Sequence, residues 1–153
     1  MGSYTVERSI TVKAPPSRLH GLVDDFHRWT LWSPWEDLDP ALERTYSGPD
    51  HGVGAHYAWS GNRKAGRGSM EITGSSPDGV DLTIEFLKPF RSTSQTRFVL
   101  EPNGAGTRVR WVMTGEHAGL MALFGKVMSM DKLIGPDFEK GLARLKAVAE
   151  KPT

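Results

Sequence analysis

The sequence contains no cysteine, and this absence excludes several classes of protein. Its 153 residues cannot form a disulfide scaffold, a thiolate zinc site, an iron–sulfur cluster or a cysteine nucleophile. A chain of this length can instead bury roughly two-thirds of its unfolded surface in one core, so no covalent cross-link is needed. We therefore expect one domain that spans residues 1–153.

The sequence also has no long apolar run and no large excess of either positive or negative charge. The longest uncharged, mostly apolar segment is 118–125, far short of the about 20 residues that a membrane span requires. Nineteen lysines and arginines face eighteen aspartates and glutamates, whereas a dedicated nucleic-acid binder shows a strongly basic face. No apolar leader follows Met1. The sequence thus predicts a cytoplasmic protein without a nucleic-acid partner or stable membrane insertion.

Metal and phosphate motifs are absent as well. No two of the five histidines stand three or four positions apart, and zinc sites without cysteine need clustered histidines and carboxylates. The pattern Gly52-Val53-Gly54 lacks a third glycine, and segment 61–66 continues with arginine and glycine instead of Lys-Ser/Thr. We interpret both glycine patterns as turns, and we expect no metal and no cofactor.

Glycine and proline, by contrast, are abundant. They make up 27 of the 153 residues, or about 18%, whereas roughly 12% is usual. Between them, apolar and polar residues alternate with a period of two, which predicts short antiparallel strands with one covered face. Six runs show this alternation, at 6–12, 55–60, 68–73, 80–86, 95–100 and 108–113.

Helical spacing occurs near both ends of the chain. Short helices are predicted over 17–24 and 26–32, the second ending before Ser33-Pro34 because a residue before proline avoids helical geometry. An apolar stripe from Phe138 through Leu142 and Leu145 to 148/149 predicts a C-terminal amphipathic helix that begins near Pro136. The apolar segment 120–134 is predicted as a separate helix, broken by Gly135-Pro136. The fold class is therefore α+β.

The order of several short motifs resembles that of a known superfamily. These motifs are Ile10-Thr11-Val12-Lys13-Ala14-Pro15, Trp32-Ser33-Pro34-Trp35, Gly52-Val53-Gly54-Ala55, Trp59-Ser60-Gly61-Asn62, Gly106-Thr107-Arg108-Val109-Arg110-Trp111 and Asp137-Phe138-Glu139-Lys140-Gly141-Leu142. Together they resemble the START/polyketide-cyclase-like (SRPBCC) superfamily, in particular its polyketide cyclase/dehydrase-type members, over roughly residues 4–150. The resemblance implies a helix-grip fold. In it, a curved antiparallel sheet of six to seven strands wraps around a long C-terminal helix, with two short helices after the first strand.

This resemblance implies a cavity beneath the long helix but no particular reaction, because a fold does not fix a function. Three functions fit it. The first is a binding protein for a small apolar or amphipathic molecule, lipid-like or polyketide-like. The second is an aromatase/cyclase- or dehydratase-type enzyme, and the third is an interaction module of the chaperone-activator kind. Segment 120–134 would be a lid, a contact surface or simply buried, and the chain a monomer or a homodimer.

The candidate ligand-binding residues lie on the inward face of the predicted strands and at the cavity entrance. They are Trp35, Tyr57, Trp59, Met70, Phe86, Phe98, Trp111, Met113, Phe124 and Met128. Trp29 and Trp32 are expected to pack the short helices against the sheet.

The candidate catalytic residues are fewer. Most ionisable side chains in the strands point outward, which argues against an enzyme. Arg8 alone has inward parity in a strand, where it either pairs with a carboxylate or reaches the rim. His117, which follows the last strand, is the other acid–base candidate.

Overall fold

A computed structural model describes residues 3–35, 39–62, 66–88, 91–116 and 130–151. Within these ranges the elements, in chain order, are β1 (Ser3–Val12), α1 (Pro16–Val23), α2 (Phe26–Trp29), β2 (Glu43–Ser47), β3 (His56–Ser60), β4 (Arg67–Ser76), β5 (Gly79–Lys88), β6 (Ser92–Asn103), β7 (Gly106–Glu116) and α3 (Met130–Ala149). None of the helices described is long and apolar enough to cross a membrane. The predicted α+β helix-grip fold is confirmed.

All seven strands form one antiparallel sheet in the order β1-β7-β6-β5-β4-β3-β2. From β3 to β7 every strand lies beside the one before it in the chain, whereas β1 pairs with β7. β1 and β2 are therefore the two opposite edges of the sheet. The chain passes from one edge to the other through the segment that contains α1 and α2.

The period-two alternation is confirmed in the strands. On β6 the buried residues are Ser94, Thr96, Phe98 and Leu100, and on β7 they include Val109, Trp111 and Met113. Two register shifts interrupt the pairing of β4 with β5, at Arg67/Gly68 and Ile72/Gly74. Such bulges increase the local twist of a sheet. Strand β2 was not predicted, because it is exposed along most of its length and carries no apolar alternation.

The C-terminal helix α3 buries the predicted apolar stripe. Phe138, Leu142, Leu145 and Ala149 are almost completely buried, and the helix packs chiefly on β1. The prediction of a break at Gly135-Pro136 was wrong, because α3 begins at Met130 and continues through Pro136. Proline removes one helical hydrogen bond, but Ile134 and Phe138 on either side pack against the core and hold the helix together. Residues 120–129 of the predicted separate helix lie outside the described ranges.

Three tryptophans form the centre of the core. Trp29 donates its indole N–H to the carbonyl of Val23 at 2.7 Å, and Trp32 donates to the carbonyl of Leu22 at 2.9 Å. Both rings also contact Trp111. The prediction that Trp29 and Trp32 anchor the short helices to the sheet is confirmed. Helix α2 ends at Trp29 rather than Trp32, since the chain continues there in hydrogen-bonded turns.

The two glycine patterns are turns, as predicted. Gly52 and Gly54 have φ of +77° and +94°, a backbone region that favours glycine. The backbone N–H of Gly61 donates to the carbonyl of Gly66, and that of Gly66 to the carbonyl of Asn62, where β3 leads into β4.

Candidate ligand-binding site

A pocket of about 230 Å³ lies between the inner face of the sheet and α3. Its described lining comes from five strands, from the turn between β3 and β4, from α3, and from α2 with its connection to β2. The lining residues are Trp29, Ser33, Trp35, Leu42, Tyr57, Trp59, Gly66, Met70, Ile84, Phe86, Lys88, Thr96, Trp111, Met113, Ile134 and Phe138. Most are aromatic or aliphatic, as is usual for small-molecule sites.

Gly68 determines the shape of the pocket wall that β3 and β4 form. A Cβ atom at Gly68 would lie 2.7 Å from Cη2 of Trp59, so the missing side chain lets the indole ring lie against the neighbouring strand. Trp59 in turn meets Phe86 edge to face, with ring centroids 6.0 Å apart. This wall is therefore built from two large aromatic rings placed over a small residue.

Trp111 forms the part of the lining nearest the core. Its ring is stacked between Phe138 of α3, at 4.0 Å and 5°, and Phe98 of β6, at 4.8 Å and 30°. A Cβ atom at Gly141 would lie 2.9 Å from Cζ3 of Trp111. The helix therefore makes its close approach to the sheet at a glycine, and this contact fixes the plane of the indole ring.

Two buried polar atoms of the lining have no hydrogen-bond partner in the part of the chain that the structure describes. They are the indole nitrogen of Trp111 and the hydroxyl of Thr96, whose residues are 1% and 3% exposed. This differs from the neighbouring indoles of Trp29 and Trp32, which both donate to carbonyls.

The buried hydroxyl of Ser94 lies outside the pocket, beside Tyr4. Burial raises the pKa of Tyr4, and its hydrogen bond with Ser94 partly opposes this shift.

The described lining holds two ionisable side chains, Tyr57 and Lys88. Tyr57 is buried on β3, whereas Lys88 is exposed at the end of β5. Across the described ranges no group of three or more His, Cys, Asp or Glu residues is arranged to hold a metal ion.

Arg8 has the predicted inward parity but does not line the pocket. Its Nε donates to Oε2 of Glu139 at 2.8 Å, and its Nη1 donates to the carbonyl of Glu7 at 2.8 Å. Of the two possibilities left open by the sequence, the guanidinium thus pairs with a carboxylate. His117, the other catalytic candidate, lies outside the described ranges.

The predicted ligand-binding residues fall into three groups. Seven line the pocket: Trp35, Tyr57, Trp59, Met70, Phe86, Trp111 and Met113. Phe98 does not, because it is fully buried between Trp111, Trp29 and Trp32. Phe124 and Met128 lie outside the described ranges.

Several lining residues were not predicted. Ile84, Thr96 and Phe138 follow the inward alternation or the helical stripe, so their pattern could have identified them. Leu42, Gly66 and Lys88 lie in a loop, in a turn and at a strand end, where no periodicity points to the pocket.

Comparison with known proteins places the chain among similar sequences and structures. The sequence model of the family described as polyketide cyclase / dehydrase and lipid transport matches residues 3–150. None of the curated proteins matches the chain significantly.

Solved structures share the fold at low identity. Protein CV1439 from Chromobacterium violaceum has a TM-score of 0.69 at 15% identity, over 97% of this chain and 98% of that one. Protein MLL2253 from Mesorhizobium loti has a TM-score of 0.65 at 19% identity, over 97% and 100%. Ara h 8.0201 has a TM-score of 0.60 at 16% identity, over 97% and 98%. At such identities the likeness concerns the fold alone.

Proposed function

Because the chain belongs to the polyketide cyclase / dehydrase and lipid transport family, we propose that it binds one small apolar or amphipathic molecule in the pocket under α3. The observation that carries this proposal is the composition of the lining, in which aromatic and aliphatic side chains from the sheet and the helix face one pocket. Burial of a ligand's apolar surface there supplies roughly 25 cal/mol per Å².

Binding without chemistry is favoured over the aromatase/cyclase alternative. Acid–base catalysis needs a titratable group within hydrogen-bond reach of the reacting atoms. Tyr57 and Lys88 are the ionisable groups in the described lining, and Lys88 stands at its exposed end. Arg8 is outside the lining and is paired with Glu139. The described part of the pocket therefore offers many apolar contacts and few groups that could move a proton.

Lys88 favours an amphipathic ligand over a pure hydrocarbon. A lysine buries its methylene stem along apolar surface and keeps its ammonium group in water. At the exposed end of β5 this group can meet an anionic or polar end of a ligand whose apolar part lies inside the pocket. A small aliphatic acid such as octanoate is a suitable probe for this orientation.

The test is to fill the pocket without changing the rest of the sheet. Ile84 lines the pocket, and its neighbour Glu85 lies on the exposed face of the same strand. Wild type and Glu85→Phe should both be stabilised by octanoate or 1-tetralone. A ligand at about 100 times its dissociation constant adds about 2.7 kcal/mol, or roughly 5–10 °C in Tm for a chain of this size.

Ile84→Phe should fold with a similar Tm and lose this ligand-dependent shift. Native mass spectrometry of gently purified wild-type protein should show a bound small molecule that is missing from Ile84→Phe. A wild type that no apolar or amphipathic ligand stabilises, or an Ile84→Phe variant that binds as well as Glu85→Phe, would overturn the proposal.

A further inference from the structure

We propose that the ligand carries a neutral oxygen atom, and that the indole N–H of Trp111 and the hydroxyl of Thr96 bind this oxygen inside the pocket. The inference rests on the proposed function and specifies the chemical class of the ligand. A ketone, enol, phenol or alcohol on an apolar skeleton fits this site, whereas a plain hydrocarbon does not satisfy it.

The two groups lie side by side on the sheet. Thr96 of β6 is opposite Met113 of β7, and Phe98 is opposite Trp111. Thr96 and Trp111 are therefore diagonal neighbours on one face, with Cα atoms about 7–8 Å apart and Cβ atoms somewhat closer. Both side chains line the same pocket. The proposed oxygen atom lies between these two side chains.

The lack of hydrogen-bond partners for Trp111 and Thr96 is unusual among the buried polar side chains of this core. Trp29, Trp32 and Thr107 are equally buried, and each donates to a backbone carbonyl. Buried polar groups are nearly always hydrogen-bonded, because an unpaired one keeps the full cost of losing water. Within the described ranges, Trp111 and Thr96 lack a protein partner together and at one place. An oxygen atom of a ligand can supply the partner that the described residues do not.

The chemistry of the two groups selects the partner. An indole N–H can only donate, so the atom that it binds must be an acceptor. A hydroxyl both donates and accepts, and it can bind a carbonyl oxygen or an alcohol equally well.

Among the described residues, a charged acceptor would lack a counter-ion. Arg8, opposite Trp111 on β1, is already paired with Glu139. Lys88 is six residues along β5 from Leu82, the partner of Thr96, or about 20 Å along an extended strand. A neutral oxygen therefore fits this site better than a carboxylate.

The direct test compares 1-tetralone with tetralin, two molecules that share a ring skeleton and differ in one carbonyl oxygen. In a ¹H–¹⁵N NMR spectrum of the wild-type protein, tetralone should move the Trp111 indole N–H signal downfield, and tetralin should not. The signal is assigned by its loss in Trp111→Phe. The indole signal of Trp32, which is already hydrogen-bonded, should stay in place with both ligands.

Variants then separate the hydrogen bond from the shape of the pocket. Thr96→Val should weaken tetralone binding about three- to tenfold, which corresponds to one neutral hydrogen bond, and leave tetralin binding unchanged. Thr96→Ser keeps the hydroxyl and should retain the preference for tetralone. Thr107→Val, a buried change away from the pocket, should leave both affinities unchanged. Titration calorimetry measures all four proteins.

The outcomes distinguish this inference from the proposed function. If tetralin and tetralone bind equally and the Trp111 signal does not move, the oxygen site is wrong while ligand binding stands. If Thr96→Val and Thr107→Val behave alike, the hydroxyl has no role and the inference also fails. If neither molecule binds and no apolar ligand stabilises the protein, the proposed function itself fails, and the oxygen site with it.

Discussion

Arg8 and Glu139 join the first strand to the C-terminal helix through a bond of 2.8 Å between Nε and Oε2. The guanidinium reaches the carboxylate by lying across Gly135, where a Cβ atom would collide with Nη2. Gly135, in the first third of α3, thus makes room for an arginine from the sheet. Arg8, which had inward parity, is therefore part of the scaffold.

Gly135→Ala is expected to have an effect that depends on the residue at position 8. In the wild type, the new methyl group displaces the Arg8 guanidinium and separates it from Glu139. The lost ion pair costs up to about 1 kcal/mol, since a partly exposed pair contributes little more than this, and this cost cancels most of the gain in helix propensity. In an Arg8→Ala background, the same change should stabilise by about 0.5–1 kcal/mol through helix propensity.

Urea denaturation of the four proteins in this cycle measures the coupling. Equal effects of Gly135→Ala in the two backgrounds would show that the glycine is not needed to make room for the Arg8 side chain.

A second helical glycine should tolerate no side chain at all. A Cβ atom at Gly141 would lie 2.9 Å from both Pro34 Cδ and Trp111 Cζ3, and neither ring can move aside easily. Gly141→Ala should cost about 1–3 kcal/mol by overpacking. At Gly21 of α1, the nearest foreign atom would be 3.9 Å away, so Gly21→Ala should stabilise by up to about 1 kcal/mol. Thermal unfolding of both variants tests the contrast, and a neutral Gly141→Ala would contradict it.

Two buried threonines should respond oppositely to the same substitution. The Thr107 hydroxyl donates to the carbonyl of Ala14 at 2.8 Å, so Thr107→Val leaves a buried carbonyl unpaired and should cost about 1–3 kcal/mol. The hydroxyl of Thr96 has no partner among the described residues, so Thr96→Val breaks no hydrogen bond within them and should raise the free energy of unfolding. Urea denaturation of the ligand-free proteins provides the measurement. Equal losses in the two variants would refute the difference.

The contact between Glu150 and the end of β1 should make stability depend on pH. A hydrogen bond from Lys146 and a second from the backbone N–H of Lys13 lower the pKa of the Glu150 carboxyl. Because this pKa is lower in the folded state, the stabilisation is present above the pKa of an unfolded glutamate and is lost as pH falls through the folded value.

The stability difference between wild type and Glu150→Gln, measured by urea denaturation, should therefore shrink from pH 7 to pH 3. Lys146→Gln removes the main cause of the shift and should weaken this pH dependence. A difference that stays constant over this range would contradict the assignment.

Alternation predicted the strands well, because the sheet has one covered face and a period of two records it directly. The same pattern could not place β2, whose residues are mostly exposed. Nor could it predict the continuity of α3 through Pro136, which depends on contacts made by Ile134 and Phe138 far along the chain.

The pocket shows more clearly what a periodic pattern cannot predict. Phe98 and Thr96 stand two residues apart on the same face of β6, yet Phe98 is packed against Trp111 while Thr96 reaches the pocket. A period of two shows which face of the sheet a residue lies on, but not whether it lines the pocket or is packed away from it. That depends on the size of the neighbouring side chains, which come from other strands. The register of those strands is fixed only in the folded protein.

The order of the strands has a consequence for how the protein folds. Every pair from β2 to β7 joins neighbours in the chain, so these hairpins can form by closing short loops. Strand β1 must instead find β7 across most of the sequence, with Ser3 opposite Glu116. Closing so long a loop costs more entropy. We therefore expect β1 to be incorporated into the sheet last, and its docking to complete the surface on which α3 packs.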